Sequence, residues 1–96
     1  MTRVIDLTRC LKDALSHRER LAFDVGRFQH AVWEAPDREI GHEHEWRVLE
    51  RIARRLAWFI PDAEFRKADP DFIGPDEAAR RIEEGLTELA RIHEGR

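Results

Sequence analysis

Ninety-six residues, 42% of them hydrophobic, are enough for one domain with a single modest core and exclude a disordered chain. A net charge of −3 gives no global attraction to nucleic acid or an anionic membrane, and the single cysteine, Cys10, excludes an intrachain disulfide and points to a reducing compartment. No apolar run approaches the roughly 20 residues that cross a bilayer, and the opening MTRVIDLTRC lacks the basic-then-apolar pattern of a secretory signal, so a cytoplasmic location is expected.

Four segments carry helical periodicity. In the first, residues 3–15, Val4, Leu7 or Thr8, Leu11 and Leu15 recur at three- and four-residue steps. SHRE, from Ser16 to Glu19, has the form of a capping box and predicts the start of a second helix running to Trp33. Leu21, Val25, Phe28 and Val32 make its apolar face. Gly26 inside it costs roughly 1 kcal/mol against alanine, unless it serves close packing. Residues 34–45, with Pro36 and Gly41, break the pattern. A third helix is expected from His42–Glu45 to Ile60, with Trp46, Leu49, Ile52, Ala53, Leu56 and Phe59 or Ile60 inward and Pro61 as its stop. After a connection, a fourth helix begins at Pro75, a residue suited to the first helical position. Asp76 and Glu77 lie in its first turn, where the helix dipole favours negative charge. Ile82, Leu86, Leu89 and Ile92 or His93 form its buried face. The expected architecture is all-α: one domain over residues 1–96, a four-helix bundle-like fold with two longer acidic connections. A charged content of 39%, against a usual quarter, suits a small bundle with a salt-rich surface.

The charge is segregated. Residues 34–45 hold five acids and one base, and residues 61–77 hold six acids (Asp62, Glu64, Asp69, Asp71, Asp76, Glu77) against Arg66 and Lys67. Each stretch sums to −4, so with a total of −3 the remaining residues carry +5. In a simple up-down bundle the two acidic connections lie at opposite ends, whereas a crossed topology would join them. The second connection also carries Phe65 and Phe72. It reads either as a solvated loop or as a partner-binding surface in which carboxylates steer a basic partner and the aromatics anchor it.

Other constellations are less specific. HEHE (His42–Glu45) resembles a metal motif, but residues two apart on a helix point about 200° from one another, so the histidines diverge and no metal or other cofactor is expected. Cys10 with His17 or His30 lacks an orienting third group, and a lone cysteine on an amphipathic helix reads as a small buried hydrophobe, so no catalytic residue is assigned. Trp33, Trp46 and Trp58 read as core or core-rim residues. Arg51, Arg54, Arg55, Arg80 and Arg81 are basic clusters, which on helices pair with acids one turn away, as Glu77 with Arg81 and Glu50 with Arg54. Direct nucleic-acid binding is therefore not expected.

From about Trp46 to Leu89, through LERIARRLAWFIPDAEFRKADPDFIGPDEAARRIEEGLTEL, the chain resembles the colicin D-type bacterial immunity proteins. The resemblance rests on an order of features: a helix with Leu49 and Leu56, the aromatic Trp58, Pro61-Asp62, an acidic segment with Arg66, the turn Asp71-Phe72-Ile73, Asp76-Glu77 and the final helix with Leu86. It implies a small helical cytoplasmic protein, not an enzyme, that blocks a tRNA-cutting toxin by filling its basic cleft with carboxylates in place of RNA phosphates. The partner implied is a cognate toxin nuclease domain with a basic cleft. By position the resemblance assigns Asp62 to the toxin contact, with Glu64, Asp69 and Asp71 in the same acidic segment. Ile60 departs from the pattern, in which an acid can precede the Pro-Asp. The alternative is a non-catalytic helical structural or adaptor protein whose acidic connections are merely solvated.

Overall fold

The computed structural model describes residues 1–35 and 37–95. Helix α1 spans Val4–Ser16, a single 3-10 turn spans Arg18–Arg20, and α2 spans Leu21–Trp33. They are followed by α3 (Glu43–Arg55), the short α4 (Ala63–Arg66) and α5 (Pro75–Glu94). Each long helix buries one stripe at three- and four-residue spacing: Leu7, Leu11 and Ala14; Leu21, Val25, Phe28 and Val32; Trp46, Leu49, Ile52 and Ala53; Ala78, Ile82 and Leu89. These stripes meet in one core. Packing runs α1 to α2, α2 to α3, α3 to α5 and α5 back to α1, which closes the ring of a four-helix bundle.

The bundle runs up and down. At one end Arg18, just beyond α1, reaches Asp76 in the first turn of α5 at 2.7 Å. At the other, the Thr2 amide donates to the Asp37 carbonyl (2.7 Å) and the Glu39 amide to the Thr2 carbonyl (3.0 Å). Alongside, Arg51 pairs with Glu88 and Arg55 with Glu84, which sets α3 antiparallel to α5. The two acidic connections therefore lie at opposite ends of the molecule.

Several local expectations are corrected. The Ser16 capping box does not form: Ser16 Oγ donates back to the Lys12 carbonyl at 3.1 Å, and α2 begins at Leu21 after the 3-10 turn. Helix α3 stops at Arg55, not Ile60. Past it, Ala57 and Phe59 donate to Arg54 and Leu56 in three-residue turns, and Phe59 then enters a parallel bridge with Ile73. Leu56 remains buried and Phe59 half-buried, so the apolar pattern outlasts the helix. Pro75 does sit in the first turn of α5, preceded by Gly74 as N-cap.

Among the tryptophans only Trp46 is in the core. Trp33 is 52% and Trp58 47% exposed. Trp33 follows the fully buried Val32 by about 100° of helix rotation, which turns it off the buried stripe. Leu86 is half-buried rather than buried. Glu50 pairs with Arg38 at 2.6 Å instead of Arg54, while the expected Glu77–Arg81 pair is present at 3.2 Å. Gly26 does not serve close packing, since a Cβ there would meet nothing within 4 Å. The close approach is at Gly85, where a Cβ would strike the side chain of Ile52 on α3.

Candidate partner-binding surface

Residues 58–73 form a loop closed at its base. The Ile73 amide donates to the Trp58 carbonyl (2.8 Å) and the Ile60 amide to the Ile73 carbonyl (3.0 Å). Ile73 is 8% exposed and belongs to the core. Burying an isoleucine side chain stabilises by about 1.5–3 kcal/mol, so the base is anchored by packing as well as hydrogen bonds. Ends held together over a compact surface excursion make this an Ω-type loop.

Inside the loop each turn has its own polar fastening. Asp62 is the N-cap of α4, and its Oδ1 accepts the Glu64 amide at 2.8 Å. Arg66 donates to the carbonyls of Ile60 (2.7 Å) and Pro61 (2.9 Å), tying the end of α4 back to the loop's entry. Its guanidinium lies over Gly74, where a Cβ would come within 3.3 Å of Arg66 Cζ. Asp69 Oδ1 accepts the Asp71 amide at 2.8 Å, and the Phe72 amide donates to the Asp69 carbonyl at 3.1 Å. Phe72 packs beside Trp58 with ring centroids 6.1 Å apart.

The six sequence-predicted residues thus fall into two groups. Asp62, the N-cap of α4, and Glu64 and Phe65 within it are all exposed, with Phe65 at 69%. Lys67 pairs with Glu64 at 3.1 Å in full solvent, a contact worth little. Asp69 and Phe72 are half-buried and shape the return turn, while Asp71 is exposed on that arm.

Asp71 also borders a feature the sequence reading did not assemble. With Trp58 and the guanidinium-bearing side chains of Arg51, Arg54, Arg55 and Arg81, it lines an open cleft of about 480 Å³. The arginines converge because the last turn of α3 and the first turns of α5 face each other. Arg81 donates to the Arg55 carbonyl at 2.6 Å, and Glu77 takes both Arg80 and Arg81. Hydrogen bonding from Arg80, and then from Arg81, holds the Glu77 carboxyl down to about 2. The surface is therefore bipolar, an acidic loop with an exposed aromatic, Phe65, beside an arginine-lined groove. The three- and four-residue arginine spacing on α3 carried part of this signal. The meeting with Arg81 needed the tertiary fold.

Elsewhere, Cys10 is buried, its Sγ 3.7 Å from the Asp24 carbonyl and 3.5 Å from Arg27 Nη2. His17 lies against the Asp13 carbonyl and His30 beside Glu34. Among the described residues no group of three His, Cys, Asp or Glu side chains is placed to hold a metal ion, and no helix is long and apolar enough to cross a membrane. No family model, curated protein or solved structure matches the chain.

Proposed function

We propose that this chain is an immunity protein of the colicin D-like kind. It binds and blocks the active-site cleft of a cognate bacteriocin-type or polymorphic-toxin nuclease, acting in the cytoplasm where such a toxin meets tRNA. The loop's carboxylates stand where RNA phosphates would lie, and the chain itself performs no catalytic step. The resemblance over residues 46–89 supports this reading. The observation that carries it is Phe65, a large aromatic left 69% exposed in a loop fastened by its own hydrogen bonds, with the exposed Asp62 and Glu64 close to it in sequence. A pre-formed loop loses little entropy on docking, an aromatic anchor supplies buried area at the centre of an interface, and flanking carboxylates select a basic partner and speed encounter.

A second reading has its own observation. Asp62 and Asp69 each accept a backbone amide within the loop, so these acids also explain themselves as turn formers in a helical adaptor. One experiment separates the two: the affinity of the chain for a colicin D-type tRNA-cutting nuclease domain, measured with melting temperature. Asp62→Asn removes a charge but keeps a good N-cap oxygen, so stability should hold. Binding should weaken by about 2–5 kcal/mol if the carboxylate meets a desolvated cation. Phe65→Ala should cost about 2 kcal/mol or more of binding as an interface anchor. Unchanged affinity in both variants would leave the adaptor reading.

A further inference from the structure

The seam between α1 and α5, at the end of the bundle away from residues 58–73, opens into a cavity of about 470 Å³. That is the size of a small-ligand site. Its apolar walls are Val4 and Ile5 from α1 and Leu86 and Leu89 from α5. Its floor is charged. Glu45, in the first turn of α3, lines the cavity while only 2% exposed. His42 stands between two carboxylates, with Nδ1 3.2 Å from Glu45 and Nε2 3.4 Å from Glu39. Glu39 is itself fixed, because its Oε1 accepts the Val4 amide at the start of α1 (3.3 Å) and its carbonyl accepts Trp46 Nε1 (3.3 Å).

The titratable groups on the cavity are Glu39, His42 and Glu45 on the floor, Lys12 from α1, and His93 and Glu94 from α5. Three carboxylates thus face one lysine, and His42 adds positive charge only when protonated. Apolar walls over an anionic floor call for a ligand with the opposite arrangement, a cationic head on an apolar body. A carboxylate away from bulk water interacts with such a head far more strongly than an exposed one would.

We propose that this cavity binds a small cationic amphiphile, a protonated primary amine carrying a short alkyl or aryl body. The amine would seat against Glu45 and Glu39, and the body against Val4, Ile5, Leu86 and Leu89. The site lies at the opposite end from the proposed nuclease-binding loop and stands independently of that role.

The test is an NMR titration of the 15N-labelled chain at neutral pH with hexylammonium chloride, 1-hexanol and sodium hexanoate. Amide shifts should concentrate at Val4, Ile5, Thr8 and Leu89, with hexylammonium binding at least about tenfold tighter than hexanol and hexanoate weakest. Glu45→Gln and Glu39→Gln should each erode the preference for the amine while leaving hexanol binding in place. Equal affinity for amine and alcohol, shifts scattered away from the cavity, or no shifts with any probe would overturn the proposal. Should Glu45→Gln fail to fold, the comparison of the three probes on the unmutated chain decides alone.

Discussion

A methyl group added at Gly85 would land on Ile52, a 3%-exposed core residue of α3, whereas the same group at Gly26 would meet open solvent. Both glycines lie inside helices, so both forgo the conformational restriction alanine would give, worth roughly 1 kcal/mol. Gly26→Ala should therefore stabilise by about 0.5–1 kcal/mol. Gly85→Ala should destabilise by about 1–3 kcal/mol, the usual cost of overpacking a close contact. Denaturant titration of the two variants side by side checks the pair, and equal effects would mean α3 and α5 do not approach as closely as described. From sequence the two residues were indistinguishable. What separates them is the identity of the facing helix. The core stripe of α2, by contrast, was readable at single-residue detail because Leu21, Val25, Phe28 and Val32 keep a spacing that only one helical face satisfies.

At the level of elements, the 58–73 loop depends on Ile73 more than on any of its acids. Ile73→Ala should cost about 2–5 kcal/mol as a core truncation. It should also speed hydrogen exchange at the Ile60 and Ile73 amides, which bond across the loop's base. Stability loss with those two amides still protected would show that hydrogen bonds alone close the loop. This element was only half legible. The acidic connection with Phe65 and Phe72 was evident, but α4 was not, because four residues show no periodicity and the cap at Asp62 is recognisable only once the helix is known. The early end of α3 was hidden for a related reason, since Leu56 and Phe59 stay at least half-buried after the helix has given way to turns. The start of α5 was legible from Pro75, Asp76 and Glu77, and its first turn makes a pH prediction. Arg80 and Arg81 lower Glu77 from an ordinary 4.5 to about 2. A depressed carboxyl adds stability that is present above the unfolded value and lost as pH falls toward the folded one. Thermal stability should therefore decline between about pH 5 and pH 2 more steeply in the parent than in Glu77→Gln, as followed by circular dichroism melts. Parallel declines would mean that Glu77 is not held by its arginines in solution.

At the scale of the whole molecule, the sequence left the relation between its two acidic connections open, and the up-down course of the chain resolves it: they cap opposite ends of a body whose longest dimension is 43 Å. Charges at that distance in physiological salt act separately, because screening extends only about 8 Å. If the 58–73 loop docks a nuclease as proposed, acids of the 34–45 stretch should therefore add nothing to that affinity through the far loop. Neutralising Asp37 by Asp37→Asn is expected to leave that affinity unchanged, and a loss as large as that of Asp62→Asn would place the docking surface elsewhere. Residue 2 is stitched to residues 37–39, and α5 runs from the loop end toward the same far end, so residues 1 and 95 both sit remote from Phe65. A dye, affinity tag or sensor-chip linkage attached at either position would leave the 58–73 loop facing outward and unobstructed, and the same linkage would crowd the mouth of the α1–α5 cavity.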